Sequence, residues 1–253
     1  MKTALTVAGS DPTGGAGLQA DLKVFRAFGI HGLSVVSAIT AQNSKGVASV
    51  LPVDRDFIGI QLDTLLSDIK PNAVKLGMLY KTSTVEIVAE AFRKYSLGNL
   101  VIDPVIVSSS GMVLAEKGEL DALRDTLFPL SRIITPNMHE ASVLSGTRIE
   151  NLEDMKNAVK ELKKMGPEAV LITGGHLDEE ALDLYYDGEM HVLKGSKMDG
   201  EYHGTGCVFS SVITALLALD SGLPDAVRRA KEFVRNAMEK ACYPGKGMGF
   251  LHI

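Results

Sequence analysis

Apolar runs of strand length alternate with helical patterns along almost the whole chain, and this alternation restricts the fold more than any other feature. Strands that alternate with helices run mostly parallel, and the helices cover both faces of one sheet. Strands are expected at Ala4–Ala8, Gly32–Thr40, Val47–Val53, Ala73–Leu79, Leu100–Val105, Arg132–Thr135 and Ala169–Thr173. Val47–Val53 has the most alternating pattern and suits an edge. Helices are expected after Gly17, with Leu18, Leu22, Phe25 and Phe28 on one face, and at Phe57–Ile69, Thr82–Tyr95, Glu116–Phe128, Met138–Leu144 and Leu152–Met165. Two more follow, from Gly204 and over Pro224–Ala241. Leu182–Tyr186 and His191–Lys194, around Asp187-Gly188, predict a β-hairpin. That hairpin and the two late consecutive helices argue against eight even βα units, so an open sheet is preferred to a (β/α)₈ barrel. No linker or repeat interrupts the 253 residues, which fits a single domain over 1–253. The tail Pro244–Gly249 reads as irregular.

Composition narrows the partners. The aromatic fraction is only 6% with no Trp, so aliphatic side chains fill the core. A net charge of −5 gives no support for nucleic-acid binding. No apolar run reaches the roughly 20 residues of a membrane span, and the apolar part of Met1–Ser10 is too short for a signal peptide. Two cysteines, Cys207 and Cys242, cannot make a disulfide framework, and neither has zinc-ligand spacing. A cytosolic protein is expected.

The stretch from Tyr202 to Leu219 is where chemistry is expected. Gly204, Thr205 and Gly206 precede an almost wholly apolar helix. A helix that starts after two glycines offers unpaired N–H groups and the positive end of its dipole to an anion. Cys207 lies in the first turn, where the same field favours a thiolate. The alternative is a glycine turn before a core helix with a small packed Cys.

Further polar residues fall at strand ends, where open parallel sheets bind ligands. Gly9-Ser-Asp ends the first strand, Gln42-Asn43 the second, and Met78 follows Lys-Leu-Gly. Asp103 ends the Leu100 strand, Asn137 and Glu140 follow Ile-Ile-Thr-Pro, and Thr173-Gly-Gly-His176 follows Val-Leu-Ile. Each has a plain structural alternative. Asp103 before Pro104 could be a turn residue, and Asn137 with Glu140 a capping box. Asp21 and Gln42 could be surface or capping residues, and His176 and His203 hydrogen-bonded loop residues. Cys242 reads as packing. Together, a carboxylate pair, an anion-binding helix end and polar strand ends match the metal, phosphate and acceptor sites of a kinase.

Residues 8–23 (AGSDPTGGAGLQADLK), 40–43 (TAQN), 75–79 (KLGML), 135–140 (TPNMHE) and 203–207 (HGTGC) closely resemble the hydroxymethylpyrimidine/phosphomethylpyrimidine kinases of thiamine synthesis. These belong to the ribokinase-like superfamily, and the likeness runs from Ala4 to about Gly249. The resemblance implies a three-layer α/β/α sandwich, a homodimer, and ATP with Mg²⁺. It implies two successive phosphorylations of 4-amino-5-hydroxymethyl-2-methylpyrimidine. Gly9, Asp21, Gln42 and Met78 would line the pyrimidine pocket. Asp103, Asn137 and Glu140 would organise Mg²⁺, with Asp103 and Glu140 nearest the metal. Gly204, Thr205 and Gly206 would hold the phosphoryl group, and Cys207 would accept the hydroxymethyl proton as a thiolate. Two positions depart from the family: Thr173 stands where Lys is usual, and Ser108-Ser109-Ser110 where Lys or Thr is common. Weakening of the second step is expected, or compensation by Lys194, Lys197 or Lys246. Pyridoxal/pyridoxine kinase and a non-catalytic sensor of a thiamine-pathway pyrimidine are the alternatives.

Overall fold

A computed structural model describes residues 1–108, 111–175 and 180–253, with Glu180 described by its backbone alone. Ser109, Ser110 and His176 lie outside the described residues.

Nine strands form one sheet: β1 (Thr3–Ser10), β2 (His31–Asn43), β3 (Gly46–Pro52), β4 (Ala73–Leu76), β5 (Leu100–Ile102), β6 (Ile133–Ile134), β7 (Val170–Gly174), β8 (Glu180–Tyr186) and β9 (Met190–Ser196). Their order is β3-β2-β1-β4-β5-β6-β7-β8-β9. The central pairs, from β2–β1 to β6–β7, are parallel. β3 at one edge and β8 and β9 at the other pair antiparallel. The helices are α1 (Gly17–Ala27), α2 (Arg55–Leu66), α3 (Thr82–Lys94), α4 (Glu119–Ala122), α5 (Met138–Ser145), α6 (Leu152–Lys164), α7 (Thr205–Ala218) and α8 (Leu223–Glu239).

Alternation along the central strands sorts their side chains into two cores. Leu5 and Val7 of β1 pack with Val74, Leu76, Leu100 and Ile102 against α2, α3 and α6. Ala4, Ala73, Val101 and Ile133 face the opposite way, against α1, α7 and α8. The small residues on that second face let α7 lie close to the sheet. From Val208 to Ala218 every residue of α7 is buried, which its apolar sequence requires.

The departures from the expected elements have local causes. β4 stops at Leu76 and β5 at Ile102, so Gly77, Met78 and Asp103 lie just beyond the strand ends. Pro104, lacking an N–H, cannot extend the ladder. β2 runs further than expected, through Gln42 to Asn43, because β3 pairs back along it with a register shift between Ala41 and Gln42. The helix expected over Glu116–Phe128 begins only at Glu119, after Gly118 in a left-handed conformation. It then widens into a π turn over Leu123–Leu127 and ends in a 3₁₀ turn that contains Pro129. The tail is not wholly irregular. β11 (Gly249–Phe250) pairs with β10 (Tyr202–His203) in a small two-stranded sheet.

Connections run outward from β1 in both directions, and the strand order reverses between β1 and β4. Such a switch point leaves a crevice at the carboxyl ends of the strands. The polar residues singled out in the sequence end there.

Candidate active site

One cavity of about 210 Å³ occupies that crevice. Gly9, Gln42, Met78, Asp103, Asn137, Glu140 and Thr173 line it, together with the whole run from Gly204 to Cys207. The fold thus brings together residues from seven separate segments.

The first turn of α7 forms one wall. Gly204 is the N-cap residue at φ +84°, a conformation costly for any residue with a Cβ. A Cβ there would also sit 1.9 Å from the Gly15 carbonyl oxygen, so the two glycine loops touch through backbone. The first intrahelical bond runs from Val208 N–H to the Gly204 carbonyl. The N–H groups of Thr205, Gly206 and Cys207 therefore precede the helical ladder and line the cavity, as an anion site requires.

The floor carries buried charge. Lys75 and Asp21 are both fully buried and form an ion pair of 2.7 Å. Asp21 Oδ1 also accepts from Ser211 Oγ at 2.6 Å, and Oδ2 accepts from Thr6 Oγ1 at 2.6 Å. One carboxylate thereby ties α1 to β1, β4 and α7. Its valences are taken up inside the protein and it does not line the cavity. The expectation that Asp21 lines the ligand pocket is corrected: it lies beneath the pocket and holds Lys75, which does line it. Burial opposes the Lys75 charge, but the carboxylate of Asp21, with Cys207 and Asp103 nearby, holds its ammonium above the usual lysine range.

Asp103 accepts from Ser210 Oγ at 3.2 Å. Burial pushes its carboxyl above the usual range, against the pull of Lys75. Glu140 is pushed up to about 8, by burial first and by Asp103 second. The capping box read from the sequence forms: Asn137 Oδ1 accepts from Glu140 N–H, and Glu140 Oε2 from Asn137 N–H, both at 2.9 Å. Glu140 Oε1 accepts from Ile106 N–H at 3.3 Å. The structural and the functional reading of Asn137 and Glu140 therefore coexist, since both residues also line the cavity. Two carboxylates raised by burial, Glu140 also by the charge of Asp103 and Asp103 by that of Asp21, form a donor set that a divalent cation would stabilise.

The thiolate expected at Cys207 is not supported. Burial pushes its thiol up to about 12, and Asp103 and Asp21 add to that against Lys75 and the Gly17 N–H. The field of the helix terminus does not outweigh this desolvation.

The remaining wall is hydrogen-bonded. His203 Nε2 lies 2.8 Å from Asp11 Oδ2 and 2.8 Å from the Gln42 side-chain nitrogen. The Phe250 ring of β11 meets the imidazole edge-on. Thr173 donates its N–H to the Pro136 carbonyl and lines the cavity without a charge. Lys194, Lys197 and Lys246 do not line it, so among the described residues the lining cation is Lys75.

Sequence reasoning passed over Lys75, Asp11, His203 and Ser210 as site residues. A signal for Lys75 was present: a lysine inside the apolar run Ala73–Leu76 must be buried and needs a partner. Ser210 and Ser211, adjacent polar residues in an apolar helix, answer Asp103 and Asp21 respectively.

Comparison with known proteins follows the same geometry. The phosphomethylpyrimidine kinase family model matches residues 11–252. The chain belongs to that family. It is 39% identical over 253 residues to the hydroxymethylpyrimidine/phosphomethylpyrimidine kinase of Bacillus subtilis, covering 97% of this chain and 92% of that one. It is 46% identical over 251 residues to the chloroplastic thiamine biosynthetic bifunctional enzyme of Arabidopsis thaliana, covering 96% of this chain. The chain spans about half (48%) of that plant enzyme's length. Among solved structures, the ADP complex of Bacillus subtilis pyridoxal kinase superposes with a TM-score of 0.91 at 38% identity, covering 99% of this chain and 96% of that one. The fold is accordingly ribokinase-like, and a member of this family is a phosphotransferase.

Proposed function

We propose that the protein transfers the γ-phosphoryl group of ATP to the hydroxymethyl oxygen of 4-amino-5-hydroxymethyl-2-methylpyrimidine, and then phosphorylates the monophosphate to the diphosphate at the same site. The observation that carries this reading is the first turn of α7 opening into a cavity beside Asp103. Each step forms an oxygen–phosphorus bond at the acceptor and breaks the bond between the γ-phosphorus and the ADP oxygen. The N–H groups of Thr205, Gly206 and Cys207 would receive the charge on the transferring group. Asp103, Glu140 and Asn137 would hold Mg²⁺, which would supply neutralising charge to the phosphates. A neutral Cys207 thiol cannot accept a proton. The hydroxymethyl proton therefore passes to an oxygen of the transferred phosphoryl group, in keeping with a loose transition state that needs positioning more than a strong base.

Thr173, without charge, leaves Lys75 as the cation lining the cavity among the described residues, and Asp21 already engages it. The second phosphorylation brings an anionic acceptor into this corner and is the slower of the two steps. The working unit is one domain, and a homodimer in the cytosol. Ile39 and Leu51, cross-strand partners on the β2–β3 edge, are 51% and 66% exposed and supply apolar surface for a second copy. No helix among the described residues is long and apolar enough to cross a membrane.

The likeness to a pyridoxal kinase favours one second reading, phosphorylation of pyridoxal. Coupled ADP release, measured on hydroxymethylpyrimidine, its phosphate and pyridoxal, separates the two. The first reading predicts the highest kcat/KM on the unphosphorylated pyrimidine. A higher kcat/KM on pyridoxal would reverse the order, and ADP release on none of the three would remove both readings.

A further inference from the structure

The donors and acceptors around Gln42 can be assigned one by one. The two ends of a side-chain amide fill nearly the same space, so its neighbours decide which end is oxygen. On one side lies His203 Nε2, at 2.8 Å, itself 2.8 Å from Asp11 Oδ2. That Asp11 carboxylate accepts from Ala16 N–H at 2.9 Å through Oδ2, and from Thr13 N–H at 2.8 Å through Oδ1. It is an acceptor throughout, so His203 Nε2 must carry the hydrogen. The other ring nitrogen, Nδ1, is buried with no hydrogen-bond partner among the described residues. A hydrogen placed there would be a buried donor with nothing to receive it. Both observations put the hydrogen on Nε2, and a hydrogen-bearing Nε2 facing Gln42 calls for the amide oxygen on that side.

The other side gives the same answer independently. Thr40 Oγ1 lies 3.0 Å from the Ser10 carbonyl and 3.2 Å from the other end of the Gln42 amide. A hydroxyl has one hydrogen, and a carbonyl can only accept it. Thr40 therefore donates to Ser10, and the lone pair it turns to Gln42 needs an N–H.

We propose that His203, anchored by Asp11, acts with Thr40 to fix the Gln42 amide with its oxygen toward His203 and its nitrogen toward Thr40 and the cavity, so that this wall offers the ligand a hydrogen-bond donor. One amide hydrogen goes to Thr40 and the second remains for the ligand. The matching ligand atom is an acceptor, an unprotonated aromatic ring nitrogen, and not an exocyclic amino group. His203 is a positioning residue here: it acts through Gln42. This inference deepens the functional reading above and rests on the cavity being the pyrimidine site.

The test is a cycle between protein and ligand. Dissociation constants are measured by calorimetry for wild type and Gln42→Ala. The ligands are hydroxymethylpyrimidine, its two analogues with either ring nitrogen replaced by CH, and the analogue with the amino group replaced by hydrogen. One ring-nitrogen analogue is expected to bind wild type about tenfold more weakly than the parent, and to lose nothing further in Gln42→Ala. The amino-deleted analogue is expected to lose the same factor in both proteins. Coupling of Gln42 to the amino group, or to no ligand atom, would overturn the assignment. For His203, the substitution His203→Leu removes the donor and is expected to abolish discrimination between the ring-nitrogen analogue and the parent. His203→Gln, whose amide can still donate, is expected to retain it. Discrimination unchanged in a folded His203→Leu would overturn the positioning role, and if that variant does not fold, loss of discrimination in His203→Gln would do so. Wild type that releases no ADP with any pyrimidine would refute the functional reading itself. Turnover combined with the wrong coupling refutes only the amide assignment.

Discussion

The floor and the side wall of the cavity solve different problems with different chemistry. The floor, built by Lys75 and Asp103 beside the Cys207 thiol, with Asp21 beneath it, concentrates buried charge. Each charge there persists because another group answers it: Asp21 answers Lys75, and Ser210 answers Asp103. The side wall, built by Gln42, Thr40 and His203, works through the direction of hydrogen bonds, with Asp11 as the anchor of His203. Changing the floor should therefore alter stability and turnover by large factors, while changing the wall should alter which ligand is preferred. An unanswered buried charge costs several kcal/mol, whereas a misdirected neutral hydrogen bond costs about one.

The largest effect is expected from Lys75→Met, which leaves Asp21 buried and unpaired. The loss should be about 3–5 kcal/mol by urea unfolding. Adding Asp21→Asn should recover part of it, because an amide needs no counter-charge. No recovery in the double variant would show that Lys75 matters through packing alone, and would weaken the contrast between floor and wall.

Asp103→Asn should lower kcat by about 100-fold while the KM for the pyrimidine changes little. A rise in KM with kcat unchanged would move Asp103 from the floor's chemistry to the wall's. At Cys207 the contrast can be sharpened by alkylation. With its thiol pushed up to about 12, Cys207 should react with iodoacetamide at pH 8.5 at least about 100-fold more slowly than exposed Cys242. Mass spectrometry of partly labelled protein reads the ratio. Equal labelling would mean that the helix terminus does generate a thiolate.

The smallest effect concerns a buried carboxylate outside the cavity. Glu119 accepts from Glu116 N–H and has no cation among the causes of its shift, and burial pushes it up to about 7. Its folded value lies above its unfolded one, so the folded state binds more protons between these values. Stability should accordingly fall as pH rises from about 4.5 to 7, and level off above that. Glu119→Gln should flatten this slope, seen as a few degrees of Tm across the window. An unchanged slope would assign the pH dependence to other groups.

Much of this was legible in the sequence because it depends on local pattern. The alternation of strands and helices gave the parallel sheet, and the residues that end strands were found at the cavity. Gly204–Cys207, Asp103 and the Asn137–Glu140 box needed only neighbouring residues to be recognised. What could not be read was depth. Asp21, Gln42 and His203 are all polar residues near glycine-rich loops or strand ends, and nothing local distinguishes a group under the floor from one on the wall. Asp21 is buried because Lys75, 54 positions away, needs it. The Cys207 thiol is pushed up by its burial first, and then by carboxylates on α1 and after β5 that are distant in sequence. The extension of β2 to Gln42 depends on pairing with β3, and the order in the tail depends on β11 finding β10.

The central claim is that phosphoryl transfer takes place at the first turn of α7, beside Asp103. Amide resonances of Thr205, Gly206 and Cys207, followed by ¹⁵N–¹H NMR as ADP, aluminium fluoride, Mg²⁺ and the pyrimidine are added, test it most directly. The account predicts that these three amides undergo the largest shifts in the chain, and only when all four components are present. Unmoved amides in this turn, with the largest changes elsewhere, would contradict it.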